Sequence, residues 1–296
     1  MAKFAKPHKS SKIALADISL SICEWGPTDG FAIIALHGWL DNMASFYPLI
    51  GDAGWLNELG LRFIAVDMAG HGYSDHRQAA YGYPFYEYVI DLHNLVATLD
   101  VDRHVLLGHS MGGGIATIYS GTEAATNEGL ILIESLGPLT HEESNAPKQF
   151  LKHLNYRVQS LEKPRIRSYP TIKPIVEMRA SHSDISYEAA ELILLRNMRE
   201  TESGFVWRSD PRLNMPSSMY LSSDQVNAFI SHIDCPTLLI YASDGPIKEY
   251  PVIEGRVELL QNVDVQALTG GHHLHMTEPA SVREKVISYL NNNILR

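Results

Sequence analysis

The chain of 296 residues has little cysteine, no long apolar run and no excess of basic charge. Its two cysteines, Cys23 and Cys235, stand far apart, which argues against a disulfide framework and fits a reducing compartment, the cytoplasm. No apolar run approaches the ~20 residues that a membrane-spanning helix needs. The basic, polar opening from Met1 to Lys12 is followed by no apolar h-region, so no signal peptide is expected. Lys and Arg total 24 against 34 Asp and Glu, a formal charge of −10, which makes nucleic acid a poor partner. Internal repeats and low-complexity tracts are absent too. With 45% hydrophobic residues, the length suffices for one large core and an inserted module.

Short apolar runs punctuated by glycine read as buried parallel strands: Phe31–Leu36, Leu61–Asp67, His104–Leu107, Leu130–Ile133, Pro236–Tyr241 and Val263–Leu268. Ile13–Trp25 alternates as an edge strand pair. Helical patterns over Phe46–Leu59, Phe85–Leu99 and Met111–Gly121 separate the strands, and Glu278–Asn292 closes the chain as a helix. This alternation predicts an α/β fold, a mostly parallel sheet flanked by helices on both faces. From Gly137 to Ser222 the strand signal disappears. Helical stretches such as Tyr187–Glu200, broken at Pro164, Pro170, Pro174, Pro211 and Pro216, read as an inserted helical cap. The expected division is a core over 1–136, a cap over 137–222 and the rest of the core over 223–296.

The sharpest local signal is Gly108-His109-Ser110-Met111-Gly112, directly after an apolar strand. A serine bracketed by glycines two residues to either side is the pattern of a nucleophile elbow, a strand-to-helix turn too tight for side chains at the glycines. Gly113 and Gly114 let the next helix pack close to the sheet, its N-terminal amides facing developing negative charge. The plain alternative is a glycine-rich turn that cradles a phosphate or carries no chemistry.

The segments LHGWLDNMASF, DMAGHGYSDHR, GHSMGG and GGHHLHMTEP, in that order, resemble the α/β-hydrolase superfamily and, within it, the serine hydrolase-like proteins. The resemblance covers about 31–135 and 235–290 and implies the α/β-hydrolase fold. It further implies Ser110 as nucleophile, His272 after the paired glycines as general base, and an oxyanion hole from the amides of Trp39 and Met111. Asp67 and His71 are expected to shape the scaffold. His272, His273 and His275 crowd four residues, yet no carboxylate or cysteine set accompanies them at ligand spacing, so neither metal nor cofactor is expected.

The acid departs from the commonest superfamily pattern. Four residues past Tyr241, where many relatives carry an aspartate, stands Gly245. Asp244 is one position early, and in an extended segment that turns the side chain the other way. Glu134, at the end of the run Leu130–Ile133, is the preferred acid, because a carboxyl at the end of a buried strand is costly unless paired; Asp244 is the alternative. Trp39, Met43, Phe46, Met111, Leu136, Met178 and Trp207 are candidates for apolar lining between core and cap. Arg208, Asp210 and Arg212 read as a structural ion-pair group, with a polar-substrate role as the alternative.

The expected activity is that of a carboxylesterase: cleavage of a small-molecule carboxylic ester or related acyl compound through an acyl-serine. A serine at the elbow argues against epoxide hydrolysis and dehalogenation, which in this superfamily use aspartate there; thioester, lactone and carbon–carbon cleavage stay open. The rival is a hydrolase-shaped protein that binds a small molecule or partner without turning it over.

Overall fold

The computed structural model describes residues 4–78, 82–99, 101, 103–160, 167–182, 185–249 and 252–296. The first part of the chain comprises β1 (Lys9–Ala14), β2 (Ser19–Trp25), β3 (Phe31–Leu36), α1 (Tyr47–Ile50), α2 (Gly54–Glu58), β4 (Leu61–Asp67), α3 (Phe85–Thr98), β5 (His104–His109), α4 (Met111–Ser120) and β6 (Gly129–Ile133). An insertion follows, with α5 (Ala146–Ser160), α6 (Lys173–His182), α7 (Tyr187–Asn197), β7 (Met198–Thr201) and β8 (Gly204–Trp207). The chain ends with α8 (Ser223–Ser231), β9 (Thr237–Ala242), α9 (Val252–Val257), β10 (Val263–Leu268), α10 (Leu274–Thr277) and α11 (Pro279–Asn293).

Eight strands form one sheet in the order β1-β2-β4-β3-β5-β6-β9-β10. The β1–β2 and β2–β4 pairs are antiparallel and the rest are parallel. The continuous apolar runs follow from burial on both sides, each strand feeding alternate residues to opposite faces. Ile34, Leu106, Leu130 and Leu132 meet Leu92, Ile115, Tyr119 and Ile230 on one face. Ile33, Leu107, Ile131 and Ile133 meet Phe46, Leu49, Val286 and Leu290 on the other. Each such aliphatic side chain contributes about 1.5–3 kcal/mol.

Two expected helices are shorter than their periodicity suggests. Phe46–Leu59 is interrupted after Ile50, where Gly51 and Ala53 both take positive φ (64°). Arg283 from α11 caps that break by donating to the carbonyls of Leu49 and Pro48. The helix expected over Tyr187–Glu200 ends at Asn197, and Met198–Thr201 turns back against Gly204–Trp207 as an antiparallel hairpin. The insertion is therefore not purely helical. Its hairpin hinges on Gly204 at φ 109°, where a β-carbon would lie 2.5 Å from the Tyr169 carbonyl oxygen. Pro164 lies outside the described residues.

The insertion has its own apolar cluster, in which Ile175, Val176, Ile193, Leu194 and Met198 pack with Met276. It is anchored on the loops at the carboxyl ends of β3 and β4. Asn42 donates to the Ile193 carbonyl, Asn197 to Leu40 and the Trp39 indole to Leu213. Arg196 pairs with the buried Asp67 at 2.7 Å.

Candidate active site

Ser110 sits between β5 and α4 at φ 52° and ψ −116°, a strained conformation for a residue with a side chain. The flanking glycines are steric necessities. A β-carbon on Gly108 would lie 2.4 Å from Gly113 Cα, and one on Gly112 would lie 2.1 Å from the Leu36 carbonyl oxygen. Ser110 donates its amide to the Ile133 carbonyl at 3.0 Å, and Gly112 donates to His37 at 3.1 Å. The kink is thus tied to β6 on one side and to the loop after β3 on the other. Among the described residues the amides of Trp39 and Met111 donate to no backbone carbonyl, leaving both N–H groups for a ligand oxygen.

Glu134, the first residue past β6, also adopts a positive φ of 53°. Among the described residues its buried carboxyl has two partners. The Ala242 amide donates to Oε1 at 2.6 Å, and His272 Nδ1 lies 3.2 Å from Oε2. A carboxylate only accepts, so this contact places a proton on His272 Nδ1, and in the neutral ring that leaves Nε2 as the acceptor. Gly245 makes this arrangement possible, since a β-carbon there would stand 2.4 Å from Glu134 Oε2. Asp244 is exposed and takes a hydrogen bond from Ser243 instead. The structure therefore brings Glu134 and His272 together and leaves Asp244 outside the group. Among the described residues the Ser110 hydroxyl makes no hydrogen bond, so the contact between nucleophile and base is open here. Such contacts commonly close only around a substrate.

Behind this surface lies a buried polar group that pattern reading did not assemble. Asp41, His109 and His273 bring their ligand atoms within 4.8 Å of one another. Arg179 of α6 pairs with Asp41 Oδ1, His273 Nε2 lies 3.1 Å from Oδ2, and His109 Nδ1 is 3.7 Å away. Burial alone would raise the Asp41 carboxyl, but His273, Arg179 and His109 outweigh it and hold it well below the carboxylate range. Burial, with His275, His272 and His273 close by, keeps His109 well below the histidine range. Its Nε2–H donates to the His272 carbonyl at 2.9 Å. A divalent cation does not fit this group, because Arg179 already neutralises Asp41 and two further positive charges would be buried unpaired. His275, pushed down to about 3 by burial, packs against Phe46 and His109.

Asp67 accepts from the Met43 and Tyr73 amides and pairs with Arg196. His71 accepts from the Leu40 amide, and burial takes it down to about 3. Both brace the loops that frame the site. Asp210 pairs with Arg212 and accepts from Tyr83, while Arg208 stacks over Tyr73. Of the candidate lining residues, Met43, Phe46 and Leu136 are completely buried and belong to the core, their apolar surface consumed by packing. Trp39, Met178 and Trp207 are exposed, and Met111 is half-buried.

A family model for the alpha/beta hydrolase fold matches residues 32–279, and the chain belongs to that family. Within it the chain is close to the serine hydrolase-like proteins. It is 29% identical to the serine hydrolase-like protein of Danio rerio over 90% of this chain and 83% of that one. It is 27% identical to human serine hydrolase-like protein 2 over 98% of this chain and 97% of the other. Among solved structures, the hypothetical protein PA1622 from Pseudomonas aeruginosa PAO1 is 33% identical, with a TM-score of 0.86 over 95% of this chain and 99% of that one. A thioesterase domain from the curacin biosynthetic pathway, 22% identical with a TM-score of 0.79 over 94% and 98%, shares the fold alone.

Proposed function

We propose that the chain is a serine hydrolase that cleaves carboxylic esters or related acyl compounds through an acyl-serine intermediate. The observation that carries this reading is the pairing of His272 Nδ1 with the buried Glu134 carboxyl, accommodated over Gly245, beside a serine on a strained elbow. In the reaction, Ser110 Oγ gives its proton to His272 Nε2 and bonds to the substrate carbonyl carbon. The carbonyl electron pair moves to oxygen, where the amides of Trp39 and Met111 receive the charge. As the oxyanion collapses, the leaving alkoxide takes the proton from His272. Water then gives a proton to His272, attacks the acyl carbon and releases the acid, and Ser110 recovers its proton. Glu134 orients the imidazole and stabilises its charged form.

In this reading residues 137–222 act as the cap and residues 1–136 and 223–296 as the core. The anchors from Asn197, Arg196 and the Trp39 indole support this by seating the insertion over the β3 and β4 ends. Among the described residues no helix is long and apolar enough to cross a membrane. Both cysteines are free thiols whose pKa burial raises, Cys235 to about 11, and the cytoplasm is the proposed location. The open Ser110 hydroxyl is what the binding-protein alternative has in its favour. Labelling with a fluorophosphonate, followed by intact-mass analysis, separates the two. The expected result is one adduct, abolished by Ser110→Ala; a wild-type protein that takes no label is a binding module.

A further inference from the structure

We infer that Asp41 is a positioning residue, which couples the seating of the insertion to the alignment of Ser110 and His272. The inference rests on the reading of those two residues as nucleophile and base. Asp41 lies two residues beyond Trp39, in the loop after β3, and is 1% exposed. Its amide donates to the Gly38 carbonyl at 3.1 Å, closing a tight turn directly behind the Trp39 amide. Its side chain reaches three other parts of the chain, and two of the groups it meets are sequence neighbours of the reacting residues.

His273, on Oδ2, follows His272. His109, facing the same oxygen, precedes Ser110 and donates its Nε2–H to the His272 carbonyl. The His273–Asp41 and His109–His272 hydrogen bonds fix the backbone of the base loop against the elbow, while His109 Nδ1 only lies near Oδ2 and has no hydrogen-bond partner among the described residues. Gly38 closes the group from the remaining side, for a β-carbon there would be 3.0 Å from both Asp41 Oδ2 and His109 Nδ1. The third partner, Arg179, comes from α6 of the insertion, and also donates to the Leu40 carbonyl at 3.2 Å. One carboxyl therefore meets the elbow, the base loop and the insertion, from within the loop that carries the Trp39 amide.

A buried carboxylate holds its place only while its donors do. Withdrawal of Arg179 changes the balance of forces on Oδ1, and the adjustment passes through Oδ2 to His273 and so to its neighbour His272. A displacement of the base by a fraction of an ångström is enough to slow proton transfer. An ion pair that served stability alone would leave the reactivity of the folded protein unchanged.

The test is the rate constant of fluorophosphonate labelling at Ser110, with thermal melting and kcat and KM on p-nitrophenyl acetate measured beside it. Asp41→Asn is expected to label about tenfold to a hundredfold slower, with kcat reduced and KM within about twofold. His273→Leu is expected to behave like Asp41→Asn. His273→Gln, whose amide N–H can still donate to Oδ2, and Arg179→Lys, which keeps the positive charge, are expected to retain rates within a few-fold of wild type. If Asp41→Asn does not fold, the pair His273→Leu and His273→Gln decides. Wild-type rates in folded Asp41→Asn or His273→Leu overturn the inference, as do losses in His273→Gln as large as those in His273→Leu. A wild-type protein inert to the label removes the functional reading and this inference with it.

Discussion

The ends of β6 and β9 lie side by side in the sheet and have divided one task between them. On β6 the chain leaves the strand through Glu134, whose positive φ directs the carboxyl across to the neighbouring strand, where the Ala242 amide receives it. On β9 it leaves through Ala242 to Gly245, where no side chain projects. The acid of one strand fills the space left by the glycine of the other. In the proposed reading the acid is defined by the point in space that faces His272 Nδ1, which β6 fills through Glu134 and the glycine after β9 leaves open. Glu134→Gln is the strongest way to break this comparison. The amide can still contact His272 but cannot stabilise its charged form, so ester turnover is expected to fall roughly a thousandfold with the protein still folded. Near-wild-type turnover would return the acid role to another residue.

Gly245→Ala sharpens the comparison from the other side. The added methyl group displaces the Glu134 carboxyl, and turnover is expected to fall roughly tenfold or more, with a smaller change in KM. Turnover unaffected by that methyl group would mean that the β9 end plays no part. These rates are best read above pH 7. Burial holds His71 and His275 neutral in the fold, down to about 3 against 6.5 when free. The unfolded chain therefore binds protons that the folded chain refuses, and stability is lost as pH falls from 6.5 toward 3. Each histidine costs about 2 kcal/mol near pH 5. Denaturant midpoints should fall accordingly, and a flat profile across that range would show that these rings do accept protons in the fold. Asp244→Asn, the smallest expected effect, should leave turnover within about twofold, since the side chain is exposed and takes a hydrogen bond from Ser243.

Much of the sheet was readable because it depends on short-range pattern. Runs such as Phe31–Leu36 and Leu130–Ile133 are buried on both faces, and nothing in them competes with a strand. The elbow was readable for a similar reason, since the collisions that demand Gly108 and Gly112 arise within a few residues or with the adjacent strand. What escaped notice depends on distant partners. Asp41 is an ordinary loop acid until Arg179, His109 and His273 converge on it across more than a hundred residues in places. The hairpin at Met198–Thr201 escaped because its strands are four residues long and follow a helix without a break. Its marks were present in Gly204 and the run of strand-favouring residues Phe205, Val206 and Trp207. Met43 and Phe46 looked suited to line a cavity, yet apolar character alone does not separate a pocket wall from a core.

The fit between Glu134 and Gly245 also constrains ancestry. A descendant that gains a side chain at 245 while keeping Glu134 must shift the Glu134 carboxyl, because the two claim the same volume. Any exchange of the acid between these strands must pass through a form in which one is withdrawn or displaced as the other arrives. Such a passage is brief or costly, so the choice of strand should persist within a lineage long after surface loops have diverged.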